Sequence, residues 1–335
     1  MSRRANIAIV GAQGLVGSMI LDILTERHFP VGELRLGATA RSAGHKVIWQ
    51  DRSLVVQEVD AAFFTGLDFV FFAATNEASQ KWAPVAIEQG AICIDKSSAF
   101  RLDPAVPLVV PEVNGEQLQY QTGLVASPNC STIQLVMALK PLLNIGIESI
   151  NVSTYQATSG TGREAIEELQ AATGHRLAGE PFEPTVYPVN IAFNVLPQCD
   201  AFGADGYTKE EWKLILETRK ILQQPDLKIT ATAARVPVAV GHSEAVHLTL
   251  AKEISLIDLR QLLSEMPGVV VLDERAPAGY PTPLQVAGKD EVYIGRIRKD
   301  LSKDRSYHLW VVADNLRKGA ATNAIQIAEE LWSVK

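Results

Sequence analysis

The stretch NIAIVGAQGLVGSMILDILTER, residues 6–27, constrains the fold more than any other part of the chain. Ile7 to Val10 form a short, continuously apolar run that stops at glycine, the signature of a strand buried on both faces. Met19, Ile20, Ile23 and Leu24 then recur at helical spacing, so a strand, a glycine turn and a helix follow one another without a linker. The turn holds Gly11, Gly14 and Gly17. In this context a pyrophosphate meets the free N–H groups of a helix N-terminus, and a side chain would stand in its way. The expected cradle therefore runs through Gly11, Gln13, Gly14, Leu15, Val16 and Gly17. A tight strand-to-helix turn with no ligand has the same glycines.

The rhythm continues. ELRLGA, LDFVFFAA and GAICID read as three more short strands, and ASQKWAPVAIEQG as a helix between the last two. Apolar strands alternating with helices imply a parallel sheet covered on both sides. After SPNC comes a helical pattern, STIQLVMALKPLL, and beyond it the strands lengthen: SINVSTYQA, LKITATAARVPV, AVHLTLAK, EVYIGRIR and YHLWVVAD. These alternate more and are richer in Thr, Val and Tyr, as in an antiparallel sheet with one covered face. The last helical stretch carries Ala321, Ala324, Ile325, Ala328 and Leu331 on one face, expected to pack on the first domain. The fold class is α/β: an N-terminal Rossmann-like dinucleotide-binding domain (1–133 plus 316–335) and an α+β domain with a mostly antiparallel sheet (134–315).

With 335 residues, 47% of them hydrophobic, the chain has enough apolar surface for two cores. Its 31 basic and 38 acidic side chains give a net charge of −7 with no basic run, so neither nucleic acid nor a membrane is an expected partner. The opening apolar run is too short for a signal or membrane segment, so a cytoplasmic protein is expected. Three cysteines, Cys93, Cys130 and Cys199, stand far apart with no metal-ligand spacing, and no metal is expected.

The second strand ends without the carboxylate that takes ribose hydroxyls in NAD sites; LGATARSAG offers Thr39, Arg41 and Ser42 instead. A guanidinium with hydroxyls suits a 2′-phosphate, which favours NADP(H), although Arg41 also reads as a solvated loop residue. Cys93 lies in a strand and reads as an inert core thiol; Cys199 has no assigned role. Cys130 differs, because it stands where a proline-containing loop enters a helix. There the helix N-terminus favours thiolate over thiol and can hold an oxyanion. A thiolate beside a nicotinamide implies hydride transfer at a sulfur-bound carbon, which needs an acid/base. Of six histidines, His242 is the candidate, since it sits in a glycine-bearing turn between strands. His247 and His308 fall in strand patterns, and His28, His45 and His175 read as loop residues.

Ten ordered motifs resemble the bacterial aspartate-semialdehyde dehydrogenase family: GAQGLVG, ARSAG, SSAFR, VPLVVPEVN, SPNCSTIQ, YQATSGTG, PVNIAFNVLPQ, EEWK, RVPVAVGHSE and DNLRKGAA. The resemblance spans essentially the whole chain. It implies Cys130 as nucleophile and His242, seven residues after Arg235, as acid/base. It also implies Gln156 orienting the substrate, Arg235 pairing with its α-carboxylate and Glu210 with its α-ammonium. Arg101, Lys213 and Asn129 would hold phosphate, and Ser159, Gly160 and Asn315 would line the nicotinamide side of the cofactor site. Glu210 is preferred over Glu211 only for its spacing to Lys213, which an ordinary surface ion pair explains equally well. The implied reaction is NADPH-dependent reductive dephosphorylation of L-4-aspartyl phosphate by a homodimer that joins through the second domain. An N-acetyl-glutamyl-phosphate reductase would share this chemistry, but its cysteine is usually followed by Tyr, where this chain has Ser131. A non-catalytic relative would lose the cysteine or its partners.

Overall fold

In chain order the computed structural model, which describes residues 3–333, contains β1 (Ala5–Val10), α1 (Leu15–Glu26), β2 (Val31–Ala38), β3 (Lys46–Trp49), β4 (Arg52–Glu58) and β5 (Phe69–Phe72). There follow α2 (Asn76–Glu88), β6 (Ile92–Asp95), α3 (Pro111–Asn114), β7 (Leu124–Ala126), α4 (Cys130–Leu139), β8 (Ile147–Gln156), α5 (Arg163–Ala178) and α6 (Lys209–Ile221). The chain closes with β9 (Lys228–Arg235), β10 (His242–Leu250), α7 (Leu256–Ser264), β11 (Val269–Val271), α8 (Pro283–Val286), β12 (Val292–Lys299), β13 (Ser306–Ala313) and α9 (Thr322–Ser333). One compact unit ends at Asn129 and resumes at Ala320; the other is Cys130–Gly319. The sequence pattern sets these boundaries at 133/134 and 315/316, and residues 1, 2, 334 and 335 of that expectation lie outside the described residues. The first division falls ahead of α4 because that helix packs as one rod on α6, β10, β12 and β13.

In the first unit the sheet order is β3-β4-β2-β1-β5-β6-β7, all parallel except the β3–β4 hairpin. The four strands expected from sequence are β2, β1, β5 and β6. Every residue of β5 and β6 is buried, as strands covered on both faces must be. The hairpin and β7 were not legible: β3 has only four residues, most of β4 is exposed, and β7 has only three residues. The core joins Ile7, Ile9, Ile20, Ile23, Phe69, Phe71 and Ile94 with Ala321, Ala324, Ile325 and Ala328 of α9, and Leu331 packs at its edge.

The second unit carries a mixed sheet, order β11-β12-β13-β10-β8-β9. Its β12–β13, β13–β10 and β10–β8 pairs are antiparallel; β8–β9 and the short β11–β12 pair are parallel. The β8–β9 pairing makes Gln156 and Arg235 register partners at the ends of their strands. Because β10 runs the other way, its first residue, His242, reaches the same end of the sheet, opposite Ala313 at the end of β13. Four distant stretches of sequence thus deliver their chemistry to one sheet end. Among the described residues no helix is long and apolar enough to cross a membrane.

Candidate active site

In the first unit the glycine turn is shaped by close backbone approaches. Gly11 adopts φ +90°, and a Cβ there would meet the Ala73 oxygen at 2.4 Å; one on Gly17 would meet the Gly11 oxygen at 2.2 Å. Gly14 caps α1 without a side-chain hydrogen bond, and a Cβ on it would meet only the Gly11 oxygen, at 3.4 Å. The first turn of α1, Leu15 to Gly17, therefore presents N–H groups that no capping side chain covers. A cleft of about 430 Å³ opens beside them, lined by Gly11, Gln13, Gly14, Thr39, Ser42 and Lys81 among others. This bare, glycine-made concavity fits a dinucleotide pyrophosphate. Arg41 lies in the short 3-10 turn that carries Thr39's successors but is not among the lining residues. Two lining groups escaped the sequence reading. Lys81 adds a cation, and Glu58, paired in register with Ala38 across β4–β2, adds a carboxylate.

Also in this unit, Arg101 is buried and its Nη2 donates to the Lys96 carbonyl at 2.7 Å. Lys96 Nζ donates in turn to Ser127 Oγ and the Pro128 carbonyl, immediately before the buried Asn129. Lys96 is a cation that the sequence reading passed over.

In the second unit the backbone of a single residue organises the sheet end. The Ala157 N–H donates to His242 Nδ1 at 3.0 Å, while the Ala157 carbonyl accepts from Arg235 Nη1 at 2.7 Å. A nitrogen that accepts cannot carry the ring proton, so neutral His242 holds it on Nε2, which has no hydrogen-bond partner among the described residues. Burial first, and then the Arg235 guanidinium, hold the His242 pKa well below the ordinary histidine value. Gly160 lies against both groups: a Cβ on it would meet Arg235 Nη1 at 2.8 Å and His242 Nε2 at 3.2 Å. Ser159 and Asn315 are hydrogen-bonded to each other, and Asn315 Oδ1 also accepts from the Gly241 N–H.

Cys130 is the first residue of α4 and the only one of the three cysteines that is not fully buried. Gly319 packs against it, since a Cβ there would meet Cys130 Cβ at 3.0 Å. Gln156 Nε2 donates to Ser131 Oγ, the residue after the cysteine, at 3.0 Å, and to Glu210 Oε1 at 2.9 Å. Lys213 Nζ binds Glu210 at 3.2 Å and Asp200 at 2.8 Å. Burial lowers the basicity of Lys213, but the Glu210 and Asp200 carboxylates outweigh it and the pKa is raised. Thr208 caps α6 in a capping box with Glu211. Both Glu211 oxygens are engaged there, one by the Thr208 N–H and the other by the Ala233 N–H. Glu210 is the neighbour that faces Gln156 and Lys213.

Burial pushes the Cys199 thiol up to about 12, and burial followed by the Asp95 charge raises that of Cys93 as well. Cys199 nevertheless lines a cavity of about 410 Å³ together with Arg235, Gln198, Asp200 and Tyr187. His247 and His308 do lie in strands, β10 and β13, as register partners. They bring their Nε2 atoms to 2.9 and 3.2 Å from Asp300 Oδ2, a grouping that linear spacing did not reveal. Burial and then the Arg298 charge lower the His308 pKa, and the same positive charge opposes a cation at the trio. His175 sits within α5 and not in a loop; its stretch is polar, and only Ala165, Glu168, Leu169 and Ala172 of that helix are buried.

A glycine-built cradle in one unit, and in the other a cysteine at a helix start with an imidazole and a guanidinium at a sheet end, are the parts of a two-domain nicotinamide-dependent dehydrogenase. Residues 6–121 match the family described as "Semialdehyde dehydrogenase, NAD binding domain" and residues 139–318 the "Semialdehyde dehydrogenase, dimerisation domain". The sequence is 48% identical to the aspartate-semialdehyde dehydrogenase of Legionella pneumophila, covering 99% of this chain and 96% of that protein. Aspartate semialdehyde dehydrogenase II of Vibrio cholerae, solved in complex with ASA, matches with a TM-score of 0.95 at 44% identity, covering 99% of each chain. The Candida albicans enzyme solved with NADP matches with a TM-score of 0.74 at 26% identity, over 98% of this chain and 99% of that one. The chain belongs to the aspartate-semialdehyde dehydrogenase family, and its first unit is an NAD(P)-binding domain.

Proposed function

We propose that the chain catalyses NADPH-dependent reductive dephosphorylation of L-4-aspartyl phosphate to L-aspartate 4-semialdehyde and phosphate, on the route to lysine, methionine and threonine. The observation that carries this reading is Gln156, whose amide joins the residue next to Cys130 to the Glu210–Lys213 pair. A nucleophile is thereby tied to groups suited to an amino acid with a charged leaving group.

Cys130 thiolate attacks the acyl carbon, the carbon–oxygen bond to phosphate breaks with its electron pair leaving on phosphate, and a thioester remains on sulfur. Arg101, Asn129 and Lys213 are the groups assigned to the departing phosphate. Arg235 offers a planar fork to the α-carboxylate, its Nη1 already anchored on Ala157. Glu210 takes the α-ammonium, a role supported by the engagement of Glu211 elsewhere. A bound nicotinamide supplies the hydride that reduces the thioester. His242 then donates from Nε2 to the oxygen that gains charge, a neutral imidazole acting as hydrogen-bond donor. Collapse of that tetrahedral carbon returns the electron pair to Cys130 sulfur and frees the aldehyde.

Gly11, Gln13, Gly14, Leu15, Val16 and Gly17 would hold the pyrophosphate, and Ser159, Gly160 and Asn315 the nicotinamide. NADP is preferred over NAD because β2 ends without a carboxylate and is followed by Thr39, Arg41 and Ser42; Lys81 in the same cleft supports this, while Glu58 works against it. The second unit's membership of a dimerisation-domain family supports a homodimer, and a biosynthetic role supports a cytoplasmic location. The test is NADP+ reduction by L-aspartate semialdehyde, which should depend on added phosphate. Equal turnover of N-acetylglutamate semialdehyde, or turnover indifferent to phosphate, would overturn the assignment.

A further inference from the structure

Glu244 is completely buried, and no step above uses it. It lies two residues after His242 on β10, so the two side chains leave the same face of the strand. Gln134 stands in the corresponding place on the cysteine's side: it follows Cys130 by four residues on α4, one turn along the same helix face. Helix α4 packs against β10, and the Gln134 amide lies near enough to the Glu244 carboxyl to favour its ionised form, against the larger effect of burial. Gln134 Nε2 also reaches the His242 carbonyl at 3.4 Å.

Three atoms here, Gln134 Oε1 and both Glu244 oxygens, are buried with no hydrogen-bond partner among the described residues. An ionised glutamate cannot relieve this, because it only accepts and the amide oxygen needs a donor. One proton on Glu244 relieves all of it. The carboxyl O–H then donates to Gln134 Oε1, and Gln134 Nε2–H donates to the other carboxyl oxygen. We propose that Glu244 and Gln134 form a neutral acid–amide clamp that sets His242 in register with Cys130. The surroundings favour that protonation state: burial and the nearby Glu210 charge together outweigh the opposing effect of the Gln134 amide. Glu244 is thus a positioning residue. Closed off from solvent, it acts by joining the strand of the acid/base to the helix of the nucleophile.

The clamp rests on the roles given to Cys130 and His242 above, so wild-type phosphate-dependent NADP+ reduction and its loss in Cys130→Ala are measured first. Failure there removes the reaction; the clamp is judged only relative to an active wild type. Glu244→Ala should lower kcat by about 100-fold, the cost of a misplacement of about 1 Å, with KM for both substrates within about twofold. Glu244→Gln keeps a donor and an acceptor without charge, and should stay within about threefold of wild-type kcat. An unchanged kcat in Glu244→Ala, or an equal loss in Glu244→Gln, overturns the clamp. If Glu244→Ala does not fold, the exchanged pair decides. Gln134→Glu should be impaired, and adding Glu244→Gln, which restores one acid and one amide with their ends swapped, should raise kcat again. A double variant no better than the single one overturns the proposal.

Discussion

The glycine turn of the first unit and the sheet end of the second are built from opposite materials. The turn works through missing side chains: Gly11 and Gly17 sit where a Cβ would overlap backbone, and the helix N-terminus is left bare. The sheet end works through side chains that are each held in place, Gln156, Glu210 and Lys213 by one another and Arg235 and His242 by the Ala157 backbone. A site made of backbone fails when atoms are added, whereas a site made of interlocked side chains fails when atoms are removed.

The largest effect should come from removal. Cys130→Ala should lose at least about 10⁴-fold in kcat while cofactor affinity, measured by fluorescence titration, stays within about twofold. Comparable turnover in that variant would sink the thioester route. Addition is tested by paired glycine variants. Gly17→Ala, with its Cβ 2.2 Å from a carbonyl oxygen, should raise the cofactor KM by about 100-fold or prevent folding, and Gly14→Ala, at 3.4 Å, should change it by less than about fivefold. Equal effects would mean that space is not what the glycines provide.

Between these extremes, Arg235→Lys keeps the charge but loses the fork, and should raise KM for the aspartyl substrate by about 10- to 100-fold with a smaller change in kcat. A KM that does not move would detach Arg235 from the substrate. Smaller still, Arg41→Asp should shift the NADPH/NADH preference towards NADH by about tenfold, because an exposed loop cation is screened. An unaltered ratio would leave Lys81 as the phosphate's partner.

The least conspicuous effect concerns stability. Because the buried Glu244 carboxyl has a raised pKa, the stability linked to its proton is fully present below 4.5, the ordinary glutamate value, and is lost as pH rises towards the folded value. Glu244→Gln does not titrate. Its Tm relative to wild type should therefore be more favourable at pH 8 than at pH 5, and a pH-independent difference would show that Glu244 is ionised in the folded protein.

What could be read from the sequence was largely local. The strand, glycine turn and helix are contiguous, and so is the Thr208–Glu211 capping box. The apolar face of α9 shows in its spacing alone. The rest depends on register and on backbone. Nothing in the string marks Ala157, whose contribution is a peptide N–H and carbonyl, or Gly319, which matters for the atoms it lacks. Asp200, Glu58 and Lys96 reach their positions through pairings between distant segments, and Glu58 arrives on a hairpin too short and too exposed to stand out. Glu244 did leave a trace. A lone carboxylate within the strand HSEAVHLTL is an anomaly that sequence alone could have raised.

The unequal burial of the three cysteines has a practical corollary. Two are buried thiols whose proton is held tightly, and the third stands at a helix start with part of its surface open. A gentle electrophile added to the folded protein should therefore count one equivalent per chain and, after denaturation, three. That stoichiometry turns a mass spectrum into a direct assay of whether a preparation is native, and lets a single fluorophore be placed at the start of α4 without engineering a new attachment point.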